Sequence, residues 1–481
     1  MAHDGSEDDH TAPLLTPRPE SAVPRWWKWN MYPFACATLA SMTTVLMGYN
    51  LAVMSGAELF IREDLGLTDQ QTEVLTGSMN LYMLVPILAA GWAADLLGRR
   101  GTLLLASAFL VAGALSMSLG RSYAALMAAR FVTSVGVGLS LVVAPVYNAE
   151  ISPASTRGVL SSLLDIFINV GILLGYVSNY AFADLPVHLG WRVMYAAGVL
   201  PPVLLAAGVL AMPESPRWLT MRGRYAHARA VLSHTSDTPA EADLRLEEIK
   251  RAVSVTVVPR SRDDSGTWTE LLVRPPAFVR RILICVVGLQ FFQEASGIEA
   301  VVLYSPLVFK RAGMSSSDRA VLGATVAVGA VKTLSILVAT SLSDRLGRRP
   351  LLLASTGGVA VAMASLAASL RLGATSACLA SMLAFVVAFS VGFGPLVPAY
   401  GAEVLPLLRL RAQGTSVGTA VGRLVYAAVS MTFISLAGAI TMPGCFLLYA
   451  GVAAAAFVFV YTRLPETRGR SLEDMEVLFA K

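Results

Sequence analysis

The residues able to do chemistry in this chain sit in apolar surroundings. Asp165 lies in SSLLDIFINVGILLG and Lys332 in AVGAVKTLSILV, while Gln290, Gln293, Glu294, Glu299 and Tyr304 all fall in VGLQFFQEASGIEAVVLYSP. Asn50 interrupts LMGYNLAVMSG, and Arg130 interrupts AARFVTSVGVG. On a regular helix Gln290, Gln293 and Gly297 share one face. No nucleophile–base constellation or metal-ligand spacing accompanies these groups, so an enzyme reading has no support and no cofactor is implied. Hydrogen bonding is the chemistry they offer. A charge at bilayer depth costs roughly 2.5–3.5 kcal/mol on insertion scales, which makes each one a functional candidate by default. The alternative is a helix–helix hydrogen bond that serves packing. Tyr304 fits either a gate or interface packing.

The elements that must hold these residues are read from composition. The 481 residues are 55% hydrophobic and 14% charged, with a mean hydropathy of +0.62. A soluble chain carries about 25% charged residues. Apolar stretches long enough to cross about 30 Å of hydrocarbon as helices recur at 33–56, 74–94, 102–119, 124–146, 158–181, 191–211, 281–308, 321–342, 351–370, 375–400, 414–437 and 443–462. This predicts an all-α membrane protein of twelve transmembrane helices. Residues 1–31 are acidic and Pro-rich and read as a disordered cytoplasmic tail. Cys36, Cys285, Cys378 and Cys445 show no CxxC spacing and read as buried small hydrophobes.

Basic residues set the expected orientation. With both termini cytoplasmic, 27 of the 37 Lys+Arg fall inside and 7 outside, with Arg130, Lys332 and Arg423 left within spans. Discounting the long central loop still leaves 15 against 7. The net charge of +5 therefore reflects topology and gives no reason to expect nucleic acid.

The chain also repeats itself. GWAADLLGRR returns as TSLSDRLGRR, PVYNAEISPASTRG as PAYGAEVLPLLRLRAQG, and PESPR as PETRG. Asp95 to Asp344 is 249 residues, Glu150 to Glu403 is 253, and Pro213 to Pro465 is 252. Near-constant offsets in unlike motifs point to a duplicated six-helix unit, with bundles at 32–212 and 281–462, a helical cytoplasmic linker at 213–280 and a tail at 463–481. In EADLRLEEIKRAV the apolar Leu244, Leu246 and Ile249 stand among charges. Parallel repeats place a solute site between the halves near the midplane. Asp95, Arg99, Arg100, Glu150, Arg157, Glu214 and Arg217, with Asp344, Arg348, Arg349, Glu403, Arg411 and Glu466 in the second copy, are expected to form a cytoplasmic latch between the halves. The competing reading is that they anchor the membrane interface.

From Tyr32 to Phe479 the chain resembles the sugar porter family of the major facilitator superfamily, and within it the plant polyol and monosaccharide transporters. FACATLASMT, GYNLAVMSGA, ARFVTSVGVG, PESPRWL, FFQEASGIEAVVLYSP, RLRAQG and RSLEDMEVLF carry the likeness. The resemblance implies two six-helix bundles, alternating access and a sugar faced by Gln293, Glu294, Glu299 and Lys332, with Asp165 at a hydrogen-bonding position. It also implies that proton-coupled members carry Asp where this chain has Asn50, facing the Arg that corresponds to Arg130. An amide there removes the titration.

Several positions depart from the family pattern. Pro398 stands where a cavity Trp is usual and Gly422 where a relative would carry Asn. Trp92 replaces a basic residue, and Glu294 an amide. Glu403 to Arg411 is eight residues against seven for Glu150 to Arg157. The reading is a multi-pass transporter of linear polyols and monosaccharides, acting as a monomer in the plasma membrane, with the lipid bilayer as surroundings and Asn50 favouring downhill uniport. Rival readings are proton symport through Glu294 or Asp165, and a weakly transporting sugar sensor.

Overall fold

A computed structural model describes residues 31–152, 157–236, 238–257, 277–314, 317–404 and 408–466. Among them the expected side chains of Arg157, Asp344, Glu403 and Arg411 lie outside the description, as do the termini beyond it. Eleven apolar helical stretches are long enough to span a membrane. One of them, Asp69–Leu119, has 51 residues. Straight, it would run about 77 Å at 1.5 Å per residue, far beyond the bilayer core. It reverses at Gly98, whose φ of 85° no ordinary helix residue adopts, so it crosses twice and the chain crosses twelve times.

The first half comprises α1 (Met31–Leu65), α2 (Asp69–Tyr82), α3 (Leu84–Leu119), α4 (Tyr123–Ile151), α5 (Arg157–Ala181), α6 (Val187–Ala197) and α7 (Leu200–Ala211). Three short helices follow, α8 (Pro216–Met221), α9 (Tyr225–Thr235) and α10 (Pro239–Val257). The second half comprises α11 (Ala277–Ala295), α12 (Ile298–Arg311), α13 (Asp318–Leu346), α14 (Arg348–Leu372), α15 (Thr375–Ala388), a π-helical turn at Phe389–Phe393, α16 (Gly394–Val404), α17 (Leu408–Ile440) and α18 (Met442–Arg463). Six crossings separate the start of α1 from the linker, and six more separate the linker from the end of α18. Both described ends therefore share the linker's side of the membrane.

Three helix boundaries differ from those expected. The first span continues past residue 56 to Leu65, and the second begins at Asp69. The polar residues there read as loop, but a capping box of Thr68 and Gln71 starts α2, and Glu58 and Glu73 are buried inside the protein. The seventh span breaks after Ala295. Gly297 has φ 86° and begins α12, so it does not continue the helical face of Gln290 and Gln293. In the linker, Leu246 packs with Leu219, Ala228, Leu232 and Ala242, and Ile249 joins them. Leu244 instead is exposed.

Candidate functional site

A cavity of about 140 Å³ opens where α5 of the first half meets α13, the π turn and α16 of the second. Its polar lining is Asp165, Asn169, Lys332 and Ser390, and its apolar lining includes Ile168 and Phe389. Asp165 and Lys332 reach it from opposite halves. Neither forms an ion pair at salt-bridge distance, so both stay available. Asn169 donates to the Asp165 carbonyl at 2.8 Å, which turns its Oδ1 loose. That oxygen and Ser390 Oγ are buried and have no hydrogen-bond partner. A carboxylate, an amide oxygen, a hydroxyl and an ammonium thus converge on one apolar-walled space. That set suits a small solute that presents several hydroxyls.

The other expected substrate-facing residues are not among those that line this cavity. Gln293 Nε2 donates to the carbonyls of Phe393 at 3.1 Å and Gly394 at 2.9 Å. The Gly394 carbonyl is free because of Pro398. In an α-helix the N–H at 398 would bond to the Gly394 oxygen, and proline has none. Pro398 itself is exposed, and the cavity wall is Pro395 one turn earlier.

Glu294, Glu299, Lys332 and Arg423 lie within electrostatic reach of one another. Glu299 and Tyr426 are buried beside them and interact with each other. Gly422 makes room for this group. A Cβ there would come within 2.8 Å of Gln290 Oε1 and 3.8 Å of Glu294 Cγ.

Asn50 is 7% exposed and donates to the Leu46 carbonyl on its own helix at 2.8 Å. Arg130 donates to the Leu75 carbonyl at 3.2 Å and contacts Met79 Sδ at 3.6 Å. No hydrogen bond joins Asn50 to Arg130, so the pairing geometry that the resemblance implied is not made here.

Among the described residues, bonds between the halves gather away from the linker. Tyr176 donates to the Val302 carbonyl at 2.7 Å, Thr333 to the Asn169 carbonyl at 3.2 Å, and the Ser435 backbone N–H to Glu73 at 2.8 Å. Arg319 pairs with Asp184, and the Ser435 hydroxyl also donates to Glu73. Tyr304 lies along this seam. It is fully buried, donates to the Ser430 carbonyl at 2.6 Å and stacks on Phe433 with centroids 5.1 Å apart.

On the linker side the two copies of the repeated motif fold alike. Glu214 accepts from the backbone N–H groups of Arg99 at 2.9 Å and Arg100 at 3.2 Å. Glu466 accepts from those of Arg348 at 3.1 Å and Arg349 at 3.0 Å. Each carboxylate thus satisfies open donors at a helix N-terminus. Gly98 and Gly347, at φ 85° and 93°, turn the chain into these seats. Tyr147 donates to the Pro213 carbonyl and Tyr400 to the Pro465 carbonyl, another matched pair. Arg99 pairs with Glu150 at 2.9 Å and with Asp95 at 3.1 Å. Arg217 is exposed and makes no ion pair among the described residues. The described bonds of the expected latch therefore close within each half and its adjoining segment. These bonds stiffen each bundle on the linker side.

Reasoning from sequence missed Asn169, Ser390, Glu58 and Glu73. Asn169 shares a helical face with Asp165, one turn on, and that spacing was signal enough. Ser390 gave none, since its exposure depends on the π turn.

The comparisons with known proteins agree with this geometry. A family model described as sugar (and other) transporter matches residues 36–479. Polyol transporter 5 of Arabidopsis thaliana is 50% identical over 495 residues, covering 98% of this chain and 92% of that protein. The proton:xylose symporter XylE bound to 6-bromo-6-deoxy-D-glucose superposes with a TM-score of 0.75 at 25% identity, covering 94% of this chain and 100% of that one. The inward-open xylose transporter XylE of E. coli gives a TM-score of 0.79 at 24% identity over 93% of this chain and 100% of that one. With twelve crossings, duplicated halves and a polar cavity between them, the chain belongs to the sugar transporter family of the major facilitator superfamily and is a multi-pass membrane transporter, not an enzyme.

Proposed function

We propose that this chain carries linear polyols and monosaccharides across the plasma membrane by alternating access, working as a monomer with the linker and both termini in the cytoplasm. The observation that carries this reading is the cavity shared by the halves, lined by Asp165, Lys332, Asn169 and Ser390, where Asn169 Oδ1 and Ser390 Oγ have no hydrogen-bond partner. Solutes with several hydroxyls satisfy donors and acceptors of this kind. The names of its relatives, a polyol transporter and a xylose symporter, favour the same solute class. The excess of Lys and Arg on the linker side supports the orientation.

On this reading the bundles, joined at their outer ends, present the cavity towards the cytoplasm. Gln293 fixes the wall at Gly394, and Glu294 and Glu299 contribute charge behind it. Position 50 supplies no exchangeable proton, so that residue taken alone supports downhill movement. Coupled transport requires a carboxylate elsewhere. Purified protein in liposomes, preloaded with unlabelled solute and tested for counterflow of labelled sorbitol, mannitol, xylose and glucose, provides the test. Counterflow of at least one is expected, and its absence for all four would overturn the reading.

A further inference from the structure

Two buried ionisable side chains of the first half stand apart from the cavity. Glu58 of α1 is 3% exposed and Arg130 of α4 is 1% exposed. Glu58 Oε2 accepts from Thr76 Oγ1 at 3.2 Å. Arg130 donates to the Leu75 carbonyl, one residue away on α2. The two charges interact electrostatically, yet they form no ion pair at salt-bridge distance. Both therefore hang on adjacent residues of one turn of α2.

That turn is also the seam between the halves. Its Glu73 holds the Ser435 backbone and hydroxyl of α17. At Gly77 the helices close so tightly that a Cβ would lie 2.3 Å from Met431 Cγ and 2.7 Å from Ser430 Oγ. The described groups facing Glu58 are Arg62 of its own helix, Thr76 of α2, Arg130 of α4, Tyr195 of α6 and Tyr304 of α12, and Tyr304 also faces Glu73. Ser55, one turn before Glu58, and Asn80, one turn beyond Thr76, bury polar atoms with no partner. They extend a polar track from Glu58 towards the linker side.

A buried carboxylate with a single hydroxyl donor either carries a proton or draws in a cation. An unpaired arginine within electrostatic reach makes both states available. We propose that Glu58 is the proton-binding carboxylate of the transport cycle, taking the role that position 50 cannot fill, with Arg130 as the cation it pairs with when unprotonated. One proton is taken up from water at one face and returned to water at the other, and nothing else is exchanged. With Glu58 neutral, Arg130 rests on the Leu75 carbonyl and α2 stays seated against α17. With Glu58 charged, Arg130 is pulled off that carbonyl and the seam loses its support. The inference rests on the transport reading above and replaces its downhill mode with coupled transport.

The test uses the full chain in liposomes with the same four labelled solutes. For one-to-one coupling, a gradient of about one pH unit, acidic outside, drives about tenfold accumulation. Wild type is expected to show it. Glu58→Gln is expected to accumulate nothing, while losing much less counterflow at equal pH. Wild-type counterflow without accumulation would overturn this proposal alone, as would a Glu58→Gln protein that accumulates like wild type. No counterflow at all would overturn the transport reading as well. Should Glu58→Gln fail to assemble, Glu58→Asp decides. It is expected to keep accumulation and move its pH midpoint by about 0.4 unit or more, and an unmoved midpoint overturns the proposal.

Discussion

At the scale of single residues, the unpartnered groups of the cavity make the sharpest claims. Asp165 is free of ion pairs and faces open space between the halves. Hydrogen bonds to a charged group are worth about 1.5–3 kcal/mol, so Asp165→Asn should raise the half-saturation concentration about tenfold or more. Surface abundance should hold, and labelled uptake across a concentration series checks both. Pro398→Ala should act differently. It restores the N–H that competes with Gln293 for the Gly394 carbonyl, so the thermal unfolding temperature should rise while apparent affinity falls. Much of this site was legible in the sequence because an ionisable side chain inside an apolar run is conspicuous, as at Asp165 and Lys332. Glu58 is equally conspicuous. It was passed over because the first span was ended at residue 56, before it. The effect of Pro398 was illegible for another reason, since it depends on which side chain of α11 lies beside the carbonyl that Pro398 leaves free.

At the scale of elements, the repeated turns tie sequence to backbone. Gly98 and Gly347 occupy matched positions with positive φ, each against a carboxylate that caps the next helix. An added Cβ would stand 2.2 Å from Glu214 at Gly98 but 3.1 Å from Glu466 at Gly347. Both alanine variants meet the penalty of a positive-φ, extended backbone essentially confined to glycine, of order 1–3 kcal/mol, and Gly98→Ala should lower the unfolding temperature more. Equal losses would contradict this geometry. In the linker, Arg229 holds the Asp243 carboxyl below the usual carboxylate range through hydrogen bonds of 2.6 and 3.0 Å. Because the folded value is the lower one, the contribution is present above the unfolded pKa of about 3.9. It is lost as the pH falls through the folded value. Amide exchange in α9 and α10 should accelerate selectively below that range. The motif offsets revealed the duplication in advance. The break at Phe389–Phe393 did not show in hydropathy, because it lies within a stretch that remains apolar, whereas Gly297 sits among polar residues that were read as site candidates.

At the scale of the whole molecule, the halves meet along a seam far from the linker, built from Tyr176, Asp184 and Glu73 on one side and Val302, Arg319 and Ser435 on the other. The tightest point is Gly77 against Met431. Gly77→Leu should wedge that end apart. A cysteine placed at residue 169 should then react faster with a membrane-impermeant thiol reagent added on the side away from the linker, while net transport falls. Unchanged labelling would show that the seam yields elsewhere. Twelve crossings and two halves could be read from the sequence. Which end of the assembly is shut could not, because that depends on contacts between residues such as Glu73 and Ser435, 362 positions apart.

The seat that Glu466 makes for the Arg348 and Arg349 amides reaches beyond the last transmembrane helix. Shortening the protein from its carboxyl end far enough to remove residue 466 takes both acceptors from the start of α14 at once, and instability should appear there as an abrupt step with length. Anyone choosing where to attach a fluorescent reporter or affinity handle has to leave that carboxylate in place.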